Sequence, residues 1–192
     1  MDKINLIKKI SVWIFILPVI VLNLCLFISV NYQIFDNTFL VVDQIGRSGF
    51  TIPYIDGSVS ISRVARTYPA YLLFKPGMII TAILLIKYWN YNDKLISSFK
   101  QKETKRNNFF YFGVASAFFL IAHSIFLGIS FENDLYKFFR RFILIAFIIF
   151  EVVAQSLLVF NLFKIKHKIS KIINEKILTF KILLVIVLST LA

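Results

Sequence analysis

Five long apolar runs dominate the chain, at residues 10–30, 69–89, 109–130, 142–163 and 177–192. The hydrocarbon core of a bilayer is about 30 Å thick, so a spanning helix needs about 20 mostly apolar residues. The first four runs meet that length. The fifth reaches about 24 Å at the helical rise per residue and stops with the chain, either as a fragment or inside the far leaflet. Backbone in hydrocarbon has no water to bond, so each span must satisfy its own hydrogen bonds as a helix. The predicted fold class is therefore all-α: a polytopic transmembrane helical bundle, one membrane domain over residues 1–192. Short polar segments at 131–141 and 164–176 make the third, fourth and fifth helices antiparallel neighbours.

The polar segment at 31–68 is the longest. It contains Gly46, Gly49, Pro53 and Gly57 and is rich in turns, with Asp56-Gly57 as a tight-turn pair. Ser58 to Ser62 alternates polar and apolar, as a short strand does. Pro18 and Pro76 fall inside the first two runs, where each removes a backbone donor and is expected to kink its helix. In the third run, Gly113, Ala117, Ser124 and Gly128 form a stripe of small residues, the usual surface for close helix packing in lipid.

Charge refines this into a topology. A net charge of +12 invites a nucleic-acid reading, but the basic residues sit in blocks beside the apolar runs. Six lie between Lys87 and Arg106, six between Lys164 and Lys181, and three before the first run. Short basic segments stay cytoplasmic. The N-terminus and the segments 90–108 and 164–176 are thus predicted inside, and 31–68 and 131–141 outside. The first run is too long for a signal-peptide core, and no small-x-small cleavage site follows it, so it reads as a retained helix. The single cysteine, Cys25, excludes an intrachain disulfide. High lysine, isoleucine, asparagine and phenylalanine usage suggests a low-GC genome, hence a bacterial inner membrane.

Ionisable groups inside a membrane need a partner or a wet cavity. His123 in the third run and Glu151 in the fourth have nearly coincident predicted depths, so a His123–Glu151 pair is expected, with Gln155 one turn from Glu151 and Ser116 two turns from His123. Asn23 and Asn161 add polar atoms. Two readings stay open: a polar clasp holding the bundle, or a functional acid–base or headgroup site. One histidine and one carboxylate are too few for a metal, and His167 reads as solvated. A second cluster, Asp56, Ser58, Ser60, Ser62, Arg63 and Arg66, stands at the outer mouth. Arginine forks suit phosphate oxygens, and Arg140 and Arg141 can join this patch; alternatively the arginines only snorkel at the interface. No Gly-x-Ser-x-Gly elbow supports a serine nucleophile.

The stretch Thr51 to Ser62, then Arg66-Thr67-Tyr68-Pro69 and Phe74, resembles the first outer loop of the DRAM-like family, as does the order of histidine helix before glutamate helix (His123, Glu151). That family includes the autophagy modulator DRAM and proteins that remodel GPI-anchor lipids. The Asp56-to-Arg66 stretch is more crowded than the family pattern, and the family's sixth helix is absent from this sequence. The resemblance implies a membrane protein that acts on or senses lipids. The leading expectation is a non-enzymatic protein binding membrane lipid headgroups through Asp56, Ser60, Ser62, Arg63 and Arg66 above a His123/Glu151/Gln155 core, without cofactor, metal or nucleic acid. The alternatives are an intramembrane lipid-modifying enzyme using His123 and Glu151, and a proton-coupled transporter with Glu151 as carrier.

Overall fold

A computed structural model describes residues 2–35, 38–41, 53–56, 61–99, 106–128, 134–169 and 175–191. Five longer helices run through it: α1 (Asp2–Val30), α2 (Ala70–Phe99), α3 (Asn108–Phe126), α4 (Asp134–Lys164) and α5 (Glu175–Leu191). Short helical turns occupy Tyr32–Phe35, Pro53–Asp56, Ile61–Val64 and Lys166–Ile169. Among the described residues there is no strand. The chain is all-helical, and α1 to α4 are long and apolar enough to cross a membrane. The apolar part of α5, Leu178–Val187, is shorter.

The surface carries many exposed apolar side chains. Phe15 is 72% exposed and Phe27 55%, with Phe118, Phe142, Ile145 and Phe160 similarly bare. Soluble monomers rarely leave such large contiguous apolar patches in water. Such a surface is consistent with an integral membrane protein. Pro18 and Pro76 lie inside α1 and α2, which run on through both.

Each long helix packs on its sequence neighbour: α1 on α2, α2 on α3, α3 on α4, and α4 on α5. One apolar cluster joins Ala82, Trp89, Phe109, Ala117, Ala154 and Leu158 through the middle of the bundle and the end where α2 turns to α3. A second gathers Val21, Cys25, Val64, Ala70, Phe74, Met78 and Leu127 at the other end. The stripe of small residues has a defined use at Gly113. A Cβ there would stand 2.3 Å from the Trp89 ring, so α3 lies flat on a fully buried indole. Where α2 turns to α3, the buried Asp93 carboxylate accepts from the backbone N–H (3.0 Å) and side-chain amide (2.7 Å) of Asn107.

The expected strand at Ser58 to Ser62 is not what forms at its described end. Ile61–Val64 is a helical turn, because Val64 and the following Ala65 bury against the second apolar cluster while Ile61 to Arg63 remain exposed. Residues 57–60, including Gly57, Ser58 and Ser60, lie outside the described residues.

Candidate functional site

The end of the bundle shared by the start of α2, the end of α3 and the start of α4 holds a cavity of about 600 Å³. Its walls are apolar: Leu22 from α1, Phe74 and Met78 from α2, Leu120 and Leu127 from α3 and its end, and Leu144 from α4. Its rim is cationic, with Arg66, Lys137, Arg140 and Arg141. Among the described residues lining it, none is acidic.

Local structure sets each rim residue. Gly128, just beyond α3, has φ of 89°, a conformation glycine adopts without steric penalty. A Cβ there would lie 3.4 Å from the Arg66 carbonyl, so the end of α3 and the Arg66 segment approach closely. The Arg66 Nε donates to the Ser62 carbonyl at 2.7 Å and Nη2 to the Ser62 hydroxyl at 3.2 Å. These bonds orient the guanidinium and leave part of its donor set unspent. Tyr136 fixes the start of α4 to α3 by donating to the Phe126 carbonyl at 2.7 Å. The Arg140 guanidinium lies 5.7 Å from the centre of that tyrosine ring. Lys137 is paired with Asp134 at 2.8 Å on an exposed surface. Partial burial lowers the Arg66 pKa from its ordinary value, and the positive charge of Arg140 adds to the shift.

His123 belongs to this cavity. It lines the wall below the arginines, both Arg140 and Arg66 lie within electrostatic reach of it, and its Nδ1 is buried without a hydrogen-bond partner.

Glu151 belongs elsewhere. The Ser116 hydroxyl donates to its Oε2 at 2.7 Å, and the Gln155 amide to its Oε1 at 2.9 Å. The Trp89 indole N–H is also within electrostatic reach of the carboxylate, although its geometry falls short of a hydrogen bond. Lys181 of α5 donates to the Tyr88 hydroxyl at 3.2 Å and lies within the field of Glu151. Four helices thus converge on one carboxylate.

Among the described residues the hydrogen bonds of Glu151 go to Ser116 and Gln155, and none joins it to His123. The expected His123–Glu151 contact fails for a geometric reason. The expected depths take α4 to start at residue 142, whereas it starts at Asp134. Glu151 is therefore deeper, at the level of Ser116, which lies seven residues or about 10.5 Å from His123 along α3. The two groups sit at different levels.

The other expected residues divide similarly. Ser62 and Arg66 line the cavity, and Arg63, on the same short turn, is exposed and does not. Asp56 ends the Pro53–Asp56 turn, its side chain outside the described part, as is Ser60. Asn23 accepts from the Tyr54 hydroxyl at 2.9 Å, tying the Pro53–Asp56 turn to α1, and Asn161 bonds its own helix at Leu157. Lys137, Tyr88, Trp89 and Lys181 were not among the expected site residues. Lys181 had a legible signal: it is the one charged residue in the fifth apolar run.

No family model matches this chain, and no curated protein or solved structure matches it significantly.

Proposed function

We propose that the chain is a polytopic integral membrane protein that binds an anionic membrane lipid in the cavity between Arg66 and the start of α4. One observation carries this reading: cationic groups and apolar walls meet in a single cavity. Arginine presents planar donors that match phosphate or carboxylate oxygens. The apolar walls suit the chain behind such a headgroup. The basic segments favour an N-terminus on the cytoplasmic side and a cavity mouth on the outer side of a bacterial inner membrane, with α5 proposed as a fifth membrane helix. The DRAM-like resemblance favours the same lipid role. Glu151, Ser116 and Gln155 form the clasp of the bundle in this reading, and His123 forms part of the cavity wall.

The test is lipid mass spectrometry on full-length protein purified from a native lipid extract. Wild type retains an anionic class selectively, and the Arg66→Ala/Arg140→Ala double variant retains it at least tenfold less. Equal retention by the two proteins refutes the reading. The enzyme alternative loses its main geometric support because His123 and Glu151 lie at different levels. A lipid product formed by wild type and abolished in His123→Ala would restore it.

A further inference from the structure

The shape and charge of the cavity narrow the ligand beyond "anionic lipid", and the narrower statement rests on that reading. The volume is about 600 Å³. At about 30 Å³ per water-sized group, it holds about 20 non-hydrogen groups. That is enough for one acyl chain and part of its head.

The rim specifies the head. Of its four cations, Lys137 already has a carboxylate, Asp134, at 2.8 Å. Arg66, Arg140 and Arg141 line the same space, with no acidic lining residue among those described. Arg66 and Arg140 repel each other across it. A zwitterionic head would bring a cation into this field and gain little. A doubly charged phosphomonoester offers three terminal oxygens to three guanidinium groups and removes the repulsion. The buried, unpartnered Nδ1 of His123 adds a polar atom below the rim.

We propose that the cavity selects a single-chain amphiphile ending in a phosphomonoester, with the phosphate among Arg66, Arg140 and Arg141 and the chain along Phe74, Met78 and Leu120.

Native mass spectrometry of the delipidated full chain tests this with an equimolar panel. The probes are oleoyl lysophosphatidic acid, dioleoyl phosphatidic acid, oleate, oleoyl lysophosphatidylcholine and inorganic phosphate. The expected result is at least tenfold greater retention of lysophosphatidic acid than of any other probe. Retention of phosphatidic acid equal to it overturns the one-chain claim while leaving the anionic-lipid reading intact. Oleate held equally well overturns the phosphomonoester claim. Equal retention of lysophosphatidylcholine overturns both the proposal and the reading beneath it. Binding of inorganic phosphate alone at the same strength shows an anion site with no role for the chain and also refutes it. Because the comparison is among probes on wild-type protein, it does not depend on any variant folding.

Discussion

Replacing Gly113 by alanine tests the central helix contact. An added Cβ would stand 2.3, 2.4 and 2.5 Å from Cδ2, Cε2 and Cγ of Trp89. Carbon atoms prefer about 3.5 Å or more, so the ring must retreat by about 1 Å. It has nowhere to go: Trp89 is fully buried, with the Tyr88 ring edge-on at 5.2 Å and Phe109 at 6.1 Å. Overpacking of this kind costs about 1–3 kcal/mol. Alanine returns about 0.5–1 kcal/mol of helix propensity, so the net loss is smaller than the clash. A double-mutant cycle separates the two effects. Trp89→Leu removes the indole but keeps an apolar side chain. In that background Gly113→Ala should be neutral or stabilising, because only the propensity gain remains. The coupling should then equal the clash, about 1–3 kcal/mol, or roughly 5- to 150-fold in the unfolding equilibrium. The assay is reversible unfolding in mixed detergent micelles followed by helical circular dichroism. If Gly113→Ala has the same effect with and without Trp89, the indole is not the obstacle and the close α2–α3 contact is refuted.

Two further outcomes follow from the packing. Gly77→Ala meets the Cγ2 of Val21 at 2.5 Å, but Val21 is on α1, an outer helix that can shift toward lipid, so its loss in the same assay should be less than half that of Gly113→Ala. Lys181→Met removes the bond to Tyr88 and a positive charge near Glu151. It should destabilise by about 0.6 kcal/mol, the average for a polar contact between membrane helices, and speed hydrogen exchange in α5 more than in α2; unchanged exchange in α5 would mean that the lysine does not tether it.

The broad architecture was readable because hydrophobic length sets a membrane helix almost by itself: all-helical structure and four membrane-length spans follow from the apolar runs. The depth of a polar residue was not readable, because apolar runs and helices end for different reasons. A run ends at the first cluster of charges. A helix ends where its backbone hydrogen bonds run out. Asp134, Lys137, Arg140 and Arg141 interrupt the hydropathy at the head of α4 but not its hydrogen-bond ladder. That eight-residue extension carries Glu151 two turns away from His123. The same extension brings Arg140 and Arg141 into the cavity beside Arg66, as the sequence allowed, whereas Arg63, paired with Arg66 in the expected patch, does not line it. Lys181 was assigned to a basic cytoplasmic block, although its position inside an apolar run was itself the sign of an intramembrane partner.

The separation of the two polar centres follows from one face of α3. Ser116, Leu120, His123 and Leu127 recur at helical spacing and lie along a single stripe. Ser116 meets Glu151, whereas Leu120, His123 and Leu127 line the cavity. Leu120, 7% exposed, stands between the Ser116 and His123 levels and belongs to both the central cluster and the cavity wall. An apolar floor there divides the bundle. The Glu151 centre, joined to Ser116, Gln155 and the neighbouring Lys181–Tyr88 pair, holds the middle and inner helices together without drawing on the rim. Among the described residues that line the cavity, no carboxylate faces the arginines above this centre. If Glu151 stood at the level of His123, it would neutralise the charge on which the proposed anion binding depends. The mismatch in depth that defeats the expected pair therefore keeps the Glu151 carboxylate away from the cationic lining of the cavity.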